Sequence, residues 1–326
     1  MPLSLRRGSV TAISERHDEL VRLEVDGISC IAYPRLTGAV EVGDDVLVNE
    51  QARSLELGSG GFDVLYANLT RGLGLAPEAG AHVMTLPYTP LQNAVRHAEE
   101  GVDLDDRLGG MPVVCCTVHS QLAPVCAALA GLRVAYVQVE GGALPVSLSD
   151  AVRVLRERAL LDIAIAVSPC IDGDLQCVNV YSALAVARTR ADVVVASVGP
   201  GVVGTATPLG HGAAAAAAAV NAANVLGGAP VLAIRVSERD ERGRHHGVSH
   251  HTLAVLELSS GGVSAAWPRG AAAPAWLTPR TEVDASGWRE ACAGLPLSFM
   301  GRSADEEPQF FAAAYAAGLV ARSLLS

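Results

Sequence analysis

The sequence predicts an α/β fold: a mainly parallel sheet flanked by helices, preceded by a small N-terminal β-barrel of the SH3-like or OB-like kind. Three observations carry that prediction. From Met111 onward, short apolar runs (VVCCTV, RVAYVQV, IAIAV, VVVASV, VLAIRV) alternate with helical stretches, the pattern of strands that pair in parallel through helical crossovers. The run Val193 to Val198 is apolar and β-branched almost throughout, as a strand buried on both faces requires. The stretch from Arg7 to about Asn68 holds only short alternating segments (SVTAI, LVRLEV, ISCIAY, DVLVN), with Asp26-Gly27 as a tight hairpin signal. The chain therefore divides into a barrel over residues 1–70 and an α/β domain over residues 71–326.

Taken in order, residues 69–90 are rich in Gly, Pro and Thr and read as a linker. Thr89 then caps, and Pro90 opens, a helix LQNAVRHAEE on which His97 is a surface or half-buried residue. Further helices are expected over residues 121–129, 149–159 and 175–188. After Val198 the segment GPGVVGTATPLGHG leads into an alanine-rich helix, with Thr207 as its cap, Pro208 as its first residue and Gly227-Gly228 as its stop. LGGMPVV at 108–114 echoes LGGAPVL at 226–232, either as a duplicated unit or as a shared way to end a helix before a strand. TLAVLEL at 252–258 reads as a strand and residues 259–287 as a surface connection. The segment after Pro308 reads as a helix docking Phe310, Phe311, Tyr315 and Leu319 on the core.

Half of the 326 residues are apolar and 18% are charged, a composition that builds a large core and argues against disorder. A net charge of -10 and an aromatic content of 4% oppose phosphate backbones and base-stacking platforms. No stretch is long and apolar enough to span a bilayer, and the start, MPLSLRRGSV, lacks the apolar region of a secretory leader. Neither nucleic acid nor membrane is an expected partner. The chain contains no lysine, which excludes a Walker-type phosphate lysine, a Schiff-base lysine and the usual pyridoxal chemistry. Seven cysteines without a C-x-x-C pair fit a reduced, cytoplasmic protein, and Cys115 and Cys116 read as inert buried thiols. The small side chains of the alanine helix allow close approach of another backbone, either that of a second copy in a homodimer or the sheet of the same subunit.

Ligands of open parallel sheets bind beyond the carboxyl ends of the strands. Here those ends carry His119 and Ser120, then Glu140, then Asp172 and Asp174, then Gly199 and Gly201, and last Ser237 and Glu238. Gly199, Gly201 and Gly204, followed by Thr205, satisfy G-x-G-x-x-G, a loop whose backbone N–H groups approach an anion unobstructed. Pro200 removes one donor and the acid expected about 20 residues on is absent; a dinucleotide is disfavoured, and an anion loop and a structural turn both stay open. RHHGVSHH at 244–251 gathers four of the nine histidines, and neutral imidazole is both a metal ligand and a general base near neutral pH. If His250 and His251 begin a strand, they point to opposite faces. A metal centre would then need His119, His250 and Asp172 or Asp174 to converge. A divalent metal is the candidate cofactor, with His119, His250, His251 and Asp172 as candidate ligands. Arg235, Arg239, Arg242 and Arg244 either grip an anion or form a salt-bridged loop with Glu238, Asp240 and Glu241. A Ser120 or Ser249 nucleophile lacks the G-x-S-x-G elbow.

Together RRGSVTAI, LGGMPVV, EGGALP, VGPGVVGTATPLG, RHHGVSHHTL and FMGRSADEEPQFFAAAYAAG resemble an uncharacterised bacterial family catalogued only as a domain of unknown function. The resemblance spans nearly the whole chain and implies no activity; in that family arginine stands at the position of His246. The functional expectation is an enzyme of hydrolysis or group transfer on a small anionic, in one form phosphorylated, metabolite at the sheet rim. Gly199, Gly201, Gly204, Thr205, Glu140, Glu238 and Arg244 would bind it. His119 and His250 would move protons or hold a metal, and Asp172 or Asp174 would orient or co-ligate. The alternative is a non-catalytic regulatory protein that binds a small molecule at the same rim and signals through the barrel.

Overall fold

A computed structural model describes residues 3–55, 61–72, 74–76 and 78–325. The chain forms two compact units, Met1–Val95 and Arg96–Ser326. In the first, β1 (Leu5–Arg16), β2 (Val21–Val25), β3 (Ile28–Ala32), β4 (Asp45–Asn49) and β5 (Asp63–Asn68) close into a barrel in the order β1-β2-β3-β5-β4. Alternation sends Val21, Leu23, Val25, Cys30, Val46, Val48 and Leu65 inward. The turn between β2 and β3 puts both Asp26 (φ 53°) and Gly27 (φ 76°) in the left-handed region, as the favoured two-residue hairpin demands. The Asp63 carboxylate, shut off from solvent, is held by Arg6 at 3.0 Å and Arg53 at 2.8 Å.

The helix expected after Pro90 is absent. Instead β6 (Val83–Thr85) and β7 (Asn93–Val95) pair antiparallel. The Thr89 hydroxyl donates to Leu86 O at 2.8 Å and accepts from Leu91 N at 3.3 Å, so it closes the hairpin connection rather than capping a helix. His97, the second residue of the second unit, is buried rather than superficial.

The second unit carries β8 (Pro112–Cys116), β9 (Val134–Val139), β10 (Ile163–Val167), β11 (Leu175–Cys177), β12 (Val193–Val198), β13 (Ala229–Ala233), a small antiparallel pair β14 (Val236–Ser237) and β15 (Gly247–Val248), then β16 (Ser264–Pro268) and β17 (Arg280–Val283). Eight of these form one sheet in the order β11-β10-β9-β12-β8-β13-β16-β17, parallel at every pairing. The echoing LGG segments lie side by side ahead of β8 and β13, Leu108 N donating to Leu226 O and Gly110 N to Gly227 O, each at 2.8 Å.

Helices α1 (Pro34–Thr37) and α2 (Gln51–Ser54) are single turns in the barrel unit; α3 (Leu122–Ala128), α4 (Asp150–Glu157), α5 (Val180–Arg188), α6 (Ala215–Val225), α7 (His250–Leu258), α8 (Trp288–Ala291) and α9 (Pro308–Ser323) belong to the sheet unit. The chain steps one way along the sheet from β8 to β11 and the other way from β12 to β17. Right-handed crossovers consequently place the intervening helices on opposite faces. Residues of α5, α6 and α7 pack in one apolar core with Val113, Cys115 and Val137. Residues of α3, α4, α8 and α9 pack in another with Val114, Cys116 and Tyr136. Neighbouring β8 and β12 feed connections that leave in opposite directions, which makes this the topological switch point of the sheet. Phe310 and Phe311 are fully buried as expected. No helix among the described residues is long and apolar enough to cross a membrane.

Four expectations are corrected here. Residues 175–188 are not one helix: Leu175–Cys177 is the edge strand, and α5 starts after Asn179, whose side chain accepts from Tyr181 N and Ser182 N. The alanine helix starts at Ala215, after a 3₁₀ turn at Gly212–Ala214, because the Thr205 and Thr207 hydroxyls bond each other and the Gly210 backbone. Residues 250–258 are helix, not strand, started by the Ser249 side chain accepting from His251 N; a seven-residue apolar run suits either form, and the cap decides. Residues 259–287 supply β16 and β17 rather than a surface wander.

Candidate functional site

Two excursions from the carboxyl rim build the site. The first, residues 199–210, leaves β12. Its root packs against the loop that follows β9: Ala143 N donates to Pro200 O at 2.8 Å and Val203 N to Gly141 O at 3.0 Å. A Cβ on Gly199 would overlap the Ala143 carbonyl, and one on Gly142 the Gly199 carbonyl, so these glycines are required for two backbones to touch. Thr205 and Gly201 lie on the exposed outer part of the loop. The returning chain pairs Gly204 with His211 and delivers His211 to the start of α6. The second excursion runs between β14 and β15 and delivers His245, Ser249, His250 and His251 to the start of α7. It is tied down by Ser249 N donating to Arg235 O at 2.9 Å and Arg235 N donating to the Thr252 hydroxyl at 3.1 Å.

Four imidazoles meet there. His211 and His251 stack with centroids 4.0 Å apart and planes 19° from parallel. His250 stands on edge to both, at 5.1 Å from His211 and 4.5 Å from His251. His245 lies 4.7 Å from His250 and 4.9 Å from His251. Hydrogen bonds assign the ring protons. His211 Nε2 donates to Pro208 O at 3.0 Å, and His250 Nδ1 donates to Arg244 O at 3.3 Å. Their other nitrogens, His211 Nδ1 and His250 Nε2, are buried lone pairs without a hydrogen-bond partner. His251 Nδ1 accepts from Arg235 Nη1 at 2.8 Å, and His245 Nδ1 bonds the Ser249 hydroxyl at 2.7 Å.

The surroundings keep these rings neutral. Arg242 is bidentate to Asp240, at 2.8 and 2.7 Å. Arg235 and Arg302 approach the same carboxylate at 4.0 and 3.8 Å. Glu307 accepts from Arg302 Nε at 2.7 Å and from the Ser237 hydroxyl at 2.6 Å. Three guanidinium groups thus face two carboxylates, leaving an excess of positive charge beside the histidines. Burial first, then Arg235, pushes His251 down to about 2 and His245 down to about 3. Burial also lowers His211 and His250, and it brings Arg235 down to about 10 against the opposing pull of Asp240.

Of the residues singled out by sequence, the structure unites His250 and His251 with His211. Among the described residues these are the single group of metal-ligating side chains whose ligand atoms all lie within 4.8 Å of one another; His119 and Asp172 stand outside it. His119 has both nitrogens engaged, Nδ1 donating to Val198 O at 3.2 Å and Nε2 accepting from the Ser149 hydroxyl at 2.6 Å. Burial lowers it to about 4. Asp174 pairs with Arg156 and accepts from Ala164 N, while Asp172 sits at a positive φ of 72° in the connection from β10 to β11. Glu140 and Glu238 are exposed, and Arg244 serves His250 through its backbone carbonyl. His246 points to solvent. Sequence reasoning weighed the glycines of the first loop and passed over His211 immediately after them. The available signal was its place at the end of a glycine-rich strand-to-helix connection.

A family model described as protein of unknown function (DUF3866) matches residues 29–318, and the chain belongs to that family. No curated protein matches it. The barrel's last three strands and the whole sheet unit up to α9 lie within or overlap the matched span.

Proposed function

We propose that this protein is an enzyme of hydrolysis or group transfer on a small anionic substrate, with the histidine group at the starts of α6 and α7 as its chemical centre. One observation carries the reading: His211 and His250 each present a buried, unpartnered ring nitrogen while the opposite nitrogen is fixed by a backbone carbonyl. Buried polar atoms are normally satisfied, and exceptions concentrate where chemistry is done. Neutral imidazoles with free lone pairs can take a proton or hold a ligand at neutral pH. The positive excess of Arg235, Arg242 and Arg302 over Asp240 and Glu307 favours an anion over a cationic or neutral substrate. His119 is a brace in this reading and not a participant, because neither of its nitrogens is free.

The test is turnover of a panel of phosphate mono- and diesters, carboxylic esters and amides by the purified protein. A positioned base or ligand contributes about 10²- to 10⁴-fold, so His250→Ala should lose at least about 10²-fold, with His119→Ala, where folded, staying within a few-fold of wild type. Equal activity in wild type and His250→Ala, or no turnover across the panel, overturns the reading.

A further inference from the structure

We infer that this site holds a divalent transition-metal ion between His211 Nδ1 and His250 Nε2, with His251 acting beside the ion as a hydrogen-bond donor rather than as a third ligand; this deepens the proposed function by naming the ion. The two nitrogens are acceptors that no protein donor reaches, so they call for a cation or an enclosed donor. Each opposite nitrogen donates to a main-chain carbonyl, Pro208 O and Arg244 O. Metal-ligating histidines show that arrangement, because it fixes the tautomer and turns the lone pair toward the ion. The rings stand 81° apart with centroids 5.1 Å from each other, so their in-plane lone pairs can meet at one point.

His251 fails both conditions. It is nearly parallel to His211, at 19° and 4.0 Å. A metal lies in the plane of the imidazole it bonds, and an ion in one ring's plane misses the plane of a ring stacked on it. Arg235 donates to His251 Nδ1, which in the neutral ring leaves the proton on Nε2 and no lone pair there. An N–H beside the ion suits an oxygen bound to it. Two imidazoles favour zinc, copper, nickel or cobalt over magnesium or calcium, and a four-coordinate ion held by two protein nitrogens keeps positions for water or an anionic substrate.

The experiment titrates metal-stripped, full-length protein with Zn²⁺ by calorimetry and with Co²⁺ by its visible absorption, in wild type, His211→Ala, His250→Ala and His251→Asn, with circular dichroism confirming that each variant is folded. One ion per chain is expected in wild type, weakened at least 100-fold in His211→Ala and His250→Ala and by less than tenfold in His251→Asn. Should either alanine variant fail to fold, protection of the His211 and His250 rings from diethyl pyrocarbonate by Zn²⁺ in wild type gives the same answer. Absence of saturable binding, an enclosed water alone between the two nitrogens, or equal binding in the alanine variants overturns the site. Equal loss in His251→Asn overturns the division of roles. Turnover without metal would leave the enzyme reading standing and remove the ion, whereas metal without turnover would do the reverse.

Discussion

Two serine–histidine pairs on the same rim make the most instructive comparison in this molecule. Ser149 caps α4 and donates to His119; Ser249 caps α7 and bonds His245. Both are helix starts beyond the carboxyl ends of parallel strands, and both hold a histidine whose proton affinity is lowered by burial. At the first, the imidazole has partners on both sides and the account closes. At the second, the cap draws His250 and His251 against His211, and two nitrogens are left over. A histidine at a sheet rim is therefore not informative by itself; what separates a brace from a reactive group is whether its second nitrogen is engaged.

The largest effect that sharpens this contrast is on chemistry. His211→Ala should lower kcat/KM by at least about 10²-fold with a melting temperature near that of wild type, measured on any substrate the panel yields. Next comes acid stability. His119 has a folded value of about 4 against an ordinary 6.5, so as pH falls the unfolded chain takes up the proton first. Its contribution is complete above pH 6.5 and is lost as pH drops toward 4, by up to about 3 kcal/mol. Urea unfolding at several pH values should show a shallower acid loss in His119→Asn than in wild type; identical slopes would place the cause elsewhere.

Ser149→Ala removes a cap and strands a buried nitrogen of His119, at about 2 kcal/mol, and should leave zinc binding untouched. Ser249→Ala should cost about 1 kcal/mol of stability yet weaken zinc binding, since the capped turn positions His250. If both serine variants behave alike in the zinc titration, the comparison fails. The smallest effect is expected for Asp174→Asn, a half-exposed ion pair with Arg156, worth no more than about 1 kcal/mol by thermal melting and nothing in turnover.

Much of the architecture was legible because its signals are local. Runs such as VVVASV, the Asp26-Gly27 turn and the helix carrying Phe310 and Phe311 each depend on neighbours within a few residues. The failures were also local in origin: TLAVLEL satisfies both a period of two and a buried helix, and only the Ser249 side chain on His251 N settles it. That one reversal changed the site, since His250 and His251 on a strand would have diverged, whereas at a helix start they lie together. Thr207 and Pro208, read as a helix start, instead close the loop that brings His211 into place.

By itself the sequence determined the barrel and the parallel sheet, and it marked the histidine-rich segment as one of several candidate sites on the rim. The tertiary structure alone decided that His211 joins that segment, that Arg235 takes one nitrogen of His251, and that His119 has none to spare. The reason is physical. A strand or a cap is stabilised by residues close in the chain, but a lone pair is free or engaged according to carbonyls and guanidinium groups, such as Val198 O for His119 and Arg235 Nη1 for His251, that only the crossovers of the sheet bring within reach.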